Sequence, residues 1–207
     1  MRLILASASP RRAELLRSAG YTFDIVVADV DESIRPGETP STYVRRLAAD
    51  KSLRVGADLR VGPGGHVIGG GDTGPPLQAD VVILGADTTV VVDGGILGKP
   101  RDDEDAANML RRLSGKAHQV LTGVSLRQGA FEVGRVDTTS VTFRALTDGD
   151  IAWYVASGEG RDKAGGYAIQ GLASRFIPAI VGSYSNVVGL PVACVDELLR
   201  SLLASRL

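Results

Sequence analysis

The chain has 207 residues, 44% of them hydrophobic and 23% charged, with 23 Lys+Arg against 24 Asp+Glu and a formal net charge of -1. That balance excludes a disordered chain and a disulfide-built mini-protein, and the missing basic excess argues against stable nucleic-acid binding. The single cysteine, Cys194, has no partner for an intramolecular bridge and fits no zinc-ligand spacing, so a cytoplasmic setting is expected, with no signal peptide and no membrane span.

Residues 3–6 read as a short buried strand, and Ser9-Pro10 as the N-cap and first position of a helix that stops at Gly20. A second strand is expected over 23–27, then a polar loop over 29–37. Thr39-Pro40 opens a helix with Tyr43, Val44, Leu47 and Ala48 on one face and Lys51 at the edge of that face. Residues 56–79 hold eight glycines and three prolines in 24 positions without apolar periodicity, and read as an inserted loop. The apolar run Val81-Val82-Ile83-Leu84 predicts a central strand that ends near Asp87, followed by Val90-Val91-Val92 and a turn at Asp93-Gly94-Gly95. A helix over 102–113 has acidic residues in its first turn. Two long strands, 117–127 and 131–144, are joined by a turn at Gln128-Gly129. Thr147 and Asp150 form a capping box for a helix through Ser157, and a last helix spans about 192–203. The expected class is α/β with a mixed sheet.

Three constellations carry possible chemistry. Ser7-Ala8-Ser9-Pro10-Arg11-Arg12 leaves a strand and enters a helix, so small side chains, exposed N–H groups and two guanidinium forks suit a phosphate; a capped surface helix with two solvated arginines has the same local sequence. Asp87, after an apolar strand and beside Thr88 and Thr89, is a carboxylate where α/β proteins bind ligands, able to hold a metal, orient water or accept a proton; the alternative is a turn-forming Asp. Glu32, Lys51, Lys99 and Lys163 are individually ordinary surface charges, yet together they supply what a triphosphate site requires, oxygen ligands for magnesium and cations for phosphate.

Several apparent motifs fail on context. Gly69, Gly71 and Gly74 have the dinucleotide-binding spacing, but no strand precedes them and Pro75-Pro76 follow where a helix should open. Gly98-Lys99 and Gly115-Lys116 lack the Ser or Thr of a Walker loop. His66 and His118 form no metalloprotease pair and are read as structural or solvated.

Ser7-Ala8-Ser9-Pro10-Arg11-Arg12-Ala13-Glu14-Leu15-Leu16, Asp31-Glu32, Gly85-Ala86-Asp87-Thr88, Gly98-Lys99-Pro100, Asp162-Lys163-Ala164-Gly165 and Tyr167-Ala168-Ile169-Gln170-Gly171, in this order, resemble the Maf family of nucleotide pyrophosphatases. The resemblance implies an inosine-triphosphatase-like α/β fold, one domain of two lobes around a cleft over 1–207, departing from the family only at the insert over 56–79. It implies hydrolysis of a nucleoside triphosphate to the monophosphate and pyrophosphate with a divalent cation, Mg2+ or Mn2+, in a cytoplasmic homodimer. By resemblance Asp87 is the general base, with Lys51 and Lys99 as catalytic cations. Ser7, Arg11, Arg12, Thr88, Lys163 and Gln170 contact substrate, and Glu32 and Asp87 hold the metal, with the split between metal and base roles left open. Arg12, Thr88 and Gln170 match the dTTP/UTP-type group. A broader nucleotide range, or a nucleotide-sensing regulator of septation, is the alternative.

Overall fold

The computed structural model describes residues 1–61, 67–69 and 81–204. In chain order the elements are β1 (Arg2–Ala6), α1 (Pro10–Ser18), β2 (Phe23–Ile25), α2 (Pro40–Asp58), β3 (Leu59–Val61), β4 (Val67–Gly69), β5 (Val81–Val92), β6 (Gly95–Leu97), α3 (Asp103–Leu113), β7 (Ala117–Gln128), β8 (Phe131–Thr142), α4 (Asp148–Ala156), β9 (Ala179–Val181), α5 (Tyr184–Val188) and α6 (Val192–Ala204). Short 3-10 turns occupy Ala164–Gly166 and Leu172–Phe176. A seven-stranded sheet runs in the order β2-β1-β5-β7-β8-β9, with β6 also paired to β5. It is mixed, as expected: β1 lies parallel to both β2 and β5, whereas β6 and β9 pair antiparallel with β5 and β8.

Local signals account for several of these boundaries. The Asp102 side chain accepts from Asp105 N at 2.7 Å and caps α3, whose first turn is acidic and last turn basic. Thr147 and Asp150 form the reciprocal capping box at α4, with Asp150 N to Thr147 Oγ1 at 3.1 Å and Thr147 N to Asp150 Oδ2 at 2.9 Å. Asp93 and Gly94 both have positive φ, 51° and 75°, which makes the tight turn that joins β5 to β6.

Other expectations change. The strand containing Val81 does not stop near Asp87: β5 continues unbroken for 12 residues to Val92. β2 ends at Ile25 rather than residue 27, and β8 at Thr142 rather than residue 144. In the glycine-rich segment read as a loop, α2 extends through Gly56 to Asp58, and β3 pairs antiparallel with β4 through Leu59↔Gly69 and Val61↔Val67. The dinucleotide-spaced Gly69, Gly71 and Gly74 begin at the last residue of β4, so a strand does lead into them, contrary to expectation, while His66, Gly71, Gly74 and Pro75-Pro76 lie outside the described residues. No helix of the described residues is long and apolar enough to cross a membrane.

The chain divides into two compact units, one of Met1–Asp87, Gly123–Val136 and Val192–Leu207, the other of Thr88–Thr122 and Asp137–Pro191. In the first, Ile4, Ala6, Val55, Val81 and Ile83 form a buried cluster, and α6 buries Cys194, Val195, Leu198, Leu199 and Leu202. Here α2 comes unusually close to the sheet. Its Ala48 and Val44 carbonyls, one turn apart, stand where a Cβ on Gly85 of β5 and on Gly123 of β7 would be. Glycine at both positions lets helix backbone rest on strand backbone.

The second unit is built around an aromatic cluster that includes Phe143, Tyr154, Tyr167 and Phe176. His118 is buried within it, its Nε2 2.8 Å from the Tyr167 hydroxyl, while its Nδ1 meets no hydrogen-bond partner. The imidazolium would carry an N–H on both ring nitrogens, with no acceptor at Nδ1, and burial pushes the imidazole down to about 4 from 6.5. Between these values the unfolded chain binds a proton that the folded chain does not. The neutral imidazole is thus compatible with full stability above about pH 6.5, and stability is lost as pH falls toward 4, by about 3 kcal/mol for this residue. His118→Gln is expected to flatten that part of the pH dependence, as measured by urea unfolding across the interval; an unchanged slope would show that other groups produce it.

Candidate active site

In the first unit, β1 ends at Ala6, paired with Gly85, while β5 runs on. Asp87 therefore lies just beyond the C-terminal end of its parallel neighbour although it is in the middle of its own strand. This preserves the physical sense of the ligand-binding strand end and corrects which strand ends there.

The side chain opposite Asp87 is Lys51. Val44, Ala48, Lys51 and Val55 recur at three- and four-residue spacing along α2, so they share its inward face. Lys51 is thus buried in that face, at 7% exposure, rather than placed at its edge. Its Nζ lies 2.7 Å from Asp87 Oδ1 and 2.7 Å from Glu32 Oε1, so one ammonium joins a buried carboxylate to one on the polar loop. Asp87 is therefore not an isolated buried carboxylate within β5: its charge is paired and hydrogen-bonded there.

Arg12 completes the group. It is buried, and its Nη1 donates to Ser7 Oγ at 3.1 Å and to the Ala86 carbonyl at 2.9 Å. The solvated reading of Arg12 is thereby overturned: the carbonyl it grips belongs to the residue before Asp87. Burial pulls the guanidinium below its usual range, opposed by the charge of Asp87 and reinforced by Arg11, with Glu32 also opposing. Ser9 occupies the N-cap of α1 but makes no side-chain capping bond, and its N–H donates to Ser7 Oγ at 3.2 Å. A guanidinium, a small hydroxyl and a helix N-terminus thus meet two carboxylates and an ammonium.

Arg11 is half-buried in the first turn of α1 beside Arg12, and the second unit holds the remaining sequence-derived candidates. Thr88 Oγ1 lies 2.9 Å from Thr122 Oγ1 and donates to the Gly189 carbonyl at 3.2 Å. Lys99 is exposed on the loop after β6. That loop is tied to the one carrying Lys163, because Gly165 N donates to the Gly98 carbonyl at 2.9 Å. Lys163 Nζ is itself engaged, 2.6 Å from Asp162 Oδ1 and 2.7 Å from the Glu159 carbonyl. Gln170 is exposed on a segment held at both flanks: Ala168 N donates to the Tyr154 hydroxyl at 3.1 Å, and Leu172 N to Glu159 Oε1 at 2.9 Å.

Several supporting residues escaped the sequence reading. Tyr43 was assigned only to a helix face, yet its hydroxyl donates to the Glu32 carbonyl at 2.9 Å. Burial, and then the charges of Asp87 and Glu32, push this phenol up to about 12. Glu159 accepts from the Tyr154 hydroxyl at 2.8 Å as well as from Leu172. No local pattern marks such residues, because their partners belong to other segments.

The sequence model of the family described as "Maf-like protein" matches residues 2–202. A protein of Anaeromyxobacter dehalogenans (strain 2CP-C) is 48% identical over 203 residues, covering 96% of this chain and 93% of that protein. One from Hahella chejuensis (strain KCTC 2396) is 49% identical over 201 residues, covering 96% and 91%, and one from Escherichia coli O157:H7 is 47% identical over 204, covering 99% and 94%. All three are named dTTP/UTP pyrophosphatase. With the motifs in order on a mixed α/β sheet and a match along nearly the whole length, the chain belongs to the Maf family.

Proposed function

We propose that this protein is a nucleoside triphosphate pyrophosphatase that hydrolyses dTTP and UTP to the monophosphate and pyrophosphate, clearing nucleotides in the cytoplasm as a homodimer. The observation that carries the chemistry is the buried Lys51 bridge between Asp87 and Glu32, set beside Arg12, Ser7 and the start of α1. The pyrimidine preference rests on the names of the similar proteins and on Arg12, Thr88 and Gln170.

Arg11, Arg12 and the N–H groups at the start of α1 receive the phosphates. Asp87 accepts a proton from the attacking water as its oxygen bonds to the α-phosphorus. The bond from that phosphorus to the bridging oxygen breaks, and its electron pair leaves with pyrophosphate. Lys51 balances the two carboxylates and holds Asp87 toward the reacting centre.

Among the described residues no group of three or more His, Cys, Asp or Glu side chains gathers for a metal. Two carboxylates, Glu32 and Asp87, fit the way magnesium is held, by one or two protein carboxylates together with substrate phosphates. A bound Mg2+ or Mn2+ supplies charge stabilisation to the phosphoryl oxygens and acidifies water.

Gln170 offers an amide donor and acceptor that match the edge of a thymine or uracil ring. A panel of nucleoside triphosphates incubated with wild type and Gln170→Glu, both products being identified, tests the reading. Wild type is expected to release pyrophosphate and monophosphate from dTTP and UTP. The variant should lose about tenfold to a hundredfold on these two nucleotides relative to the rest, with unaltered thermal unfolding because the side chain is exposed. Intact nucleotides with folded wild type would sink the enzymatic reading, and equal losses on every nucleotide would remove Gln170 from selectivity.

A further inference from the structure

Glu32 reaches Lys51 from a loop without regular secondary structure, and its side chain is 52% exposed. A pair exposed on one side contributes about 1 kcal/mol or less, too little to immobilise a loop of this length. The loop is held through its main chain instead. Arg46 Nη2 donates to the Ser33 carbonyl at 3.0 Å and Nη1 to the Asp31 carbonyl at 3.5 Å, and between them the Tyr43 hydroxyl donates to the Glu32 carbonyl at 2.9 Å. Three consecutive carbonyls, centred on Glu32, are thus received by two side chains one helical turn apart on α2. That helix also carries Lys51.

The clamp is itself braced. Arg46 forks onto Glu38, with Nε 2.6 Å from Oε1 and Nη2 2.9 Å from Oε2, and Nη1 reaches Asp50 Oδ2 at 3.4 Å. Glu38 in turn accepts from Arg35 N at 3.0 Å, and the Arg46 guanidinium lies 5.7 Å from the centre of the Tyr43 ring. A planar fork with this many acceptors cannot be replaced by a lysine ammonium.

We propose that Arg46 and Tyr43 are positioning residues for Glu32, fixing its backbone so that its carboxylate is delivered to Lys51 and the substrate site. This inference rests on the reading of Glu32 given under Proposed function, and the test separates the two. Arg46→Ala, Arg46→Lys and Tyr43→Phe are made in the wild-type and Glu32→Gln backgrounds, and kcat, KM for dTTP and thermal unfolding are measured. Amide exchange is followed over residues 30–36. Positioning through Glu32 predicts about a tenfold loss of kcat for each variant in the wild-type background, with KM changed less than about twofold. In the Glu32→Gln background the same substitutions should cost less than about twofold, because there is no carboxylate left to place. Arg46→Lys should resemble Arg46→Ala, and exchange in the loop should accelerate without a matching change elsewhere. Tyr43→Phe keeps the packed ring and removes only the hydroxyl, so it remains informative if the Arg46 variants unfold. Equal losses in both backgrounds, or none in the first, would overturn the inference while leaving Glu32 in the site. A Glu32→Gln protein with wild-type kcat would remove Glu32 from the machinery and the positioning role with it.

Discussion

Asp87→Asn is expected to lower kcat for dTTP and UTP by about a thousandfold, the loss that follows when a positioned proton acceptor is replaced by a group that cannot take the proton. Asparagine has nearly the same shape and can still accept from Lys51 Nζ, which lies 2.7 Å from Asp87 Oδ1. The fold is therefore retained. Lys51 also keeps its second carboxylate, Glu32, so the ammonium is not stranded. A destabilisation of about 1–3 kcal/mol is expected from the lost charge, far short of unfolding a domain of this size. Pyrophosphate release, followed together with urea unfolding, distinguishes chemistry from stability. Activity within tenfold of wild type in a folded Asp87→Asn protein would exclude Asp87 as the proton acceptor. Lys51→Met is the informative contrast, because it removes the ammonium that bridges the two carboxylates and should cost more stability than Asp87→Asn.

Gly85→Ala is expected to damage stability and activity together. A Cβ at this position would overlap the Ala48 carbonyl oxygen and stand 2.9 Å from Ser52 N. These atoms belong to helix backbone, which cannot rotate aside as a side chain can, so α2 must rise from β5 or slide along it. Overpacking of this kind costs about 3 kcal/mol or more when no flexible neighbour yields. Because α2 carries Lys51, a displacement near 1 Å should reduce kcat by about a hundredfold in whatever fraction remains folded. Gly123→Ala, whose Cβ would meet the Val44 carbonyl, should behave alike. Gly149→Ala in α4 is the control: its nearest neighbour is Thr147 Oγ1 at 3.7 Å, and alanine suits a helix better than glycine. Wild-type thermal stability and kcat in Gly85→Ala would show that α2 does not rest on β5 as closely as the backbone geometry requires.

These two expectations depend on very different amounts of sequence information. Asp87 could be singled out as a carboxylate amid an apolar run, and Ser7, Arg11 and Arg12 as a phosphate-binding helix start, because each signal is local. Gly85 offered no such signal; a glycine beside a strand reads equally well as a turn. The same ambiguity made β5 appear to end near Asp87. Extended backbone continues there because Lys51 offsets the buried charge and Gly85 admits the helix, both of which are contacts with α2. Tyr43 and Arg46 were hidden for a related reason: they are ordinary helix residues until the loop over 29–37 folds across them.

Along the chain, short-range chemistry was enough for the α/β class, the acidic first turn of α3, the capping box of α4, the Asp93-Gly94 turn, the long β7–β8 hairpin and the ordered motifs that identify the family. Each depends on residues within a few positions of one another, where propensity, capping and periodicity act directly. The site itself is a product of packing over long sequence distances. Lys51 meets Asp87 across 36 positions, and Arg12 meets the Ala86 carbonyl across 74. The first meeting is set by how closely α2 approaches the strands, a distance controlled by missing side chains at Gly85 and Gly123 as much as by the charges that pair there.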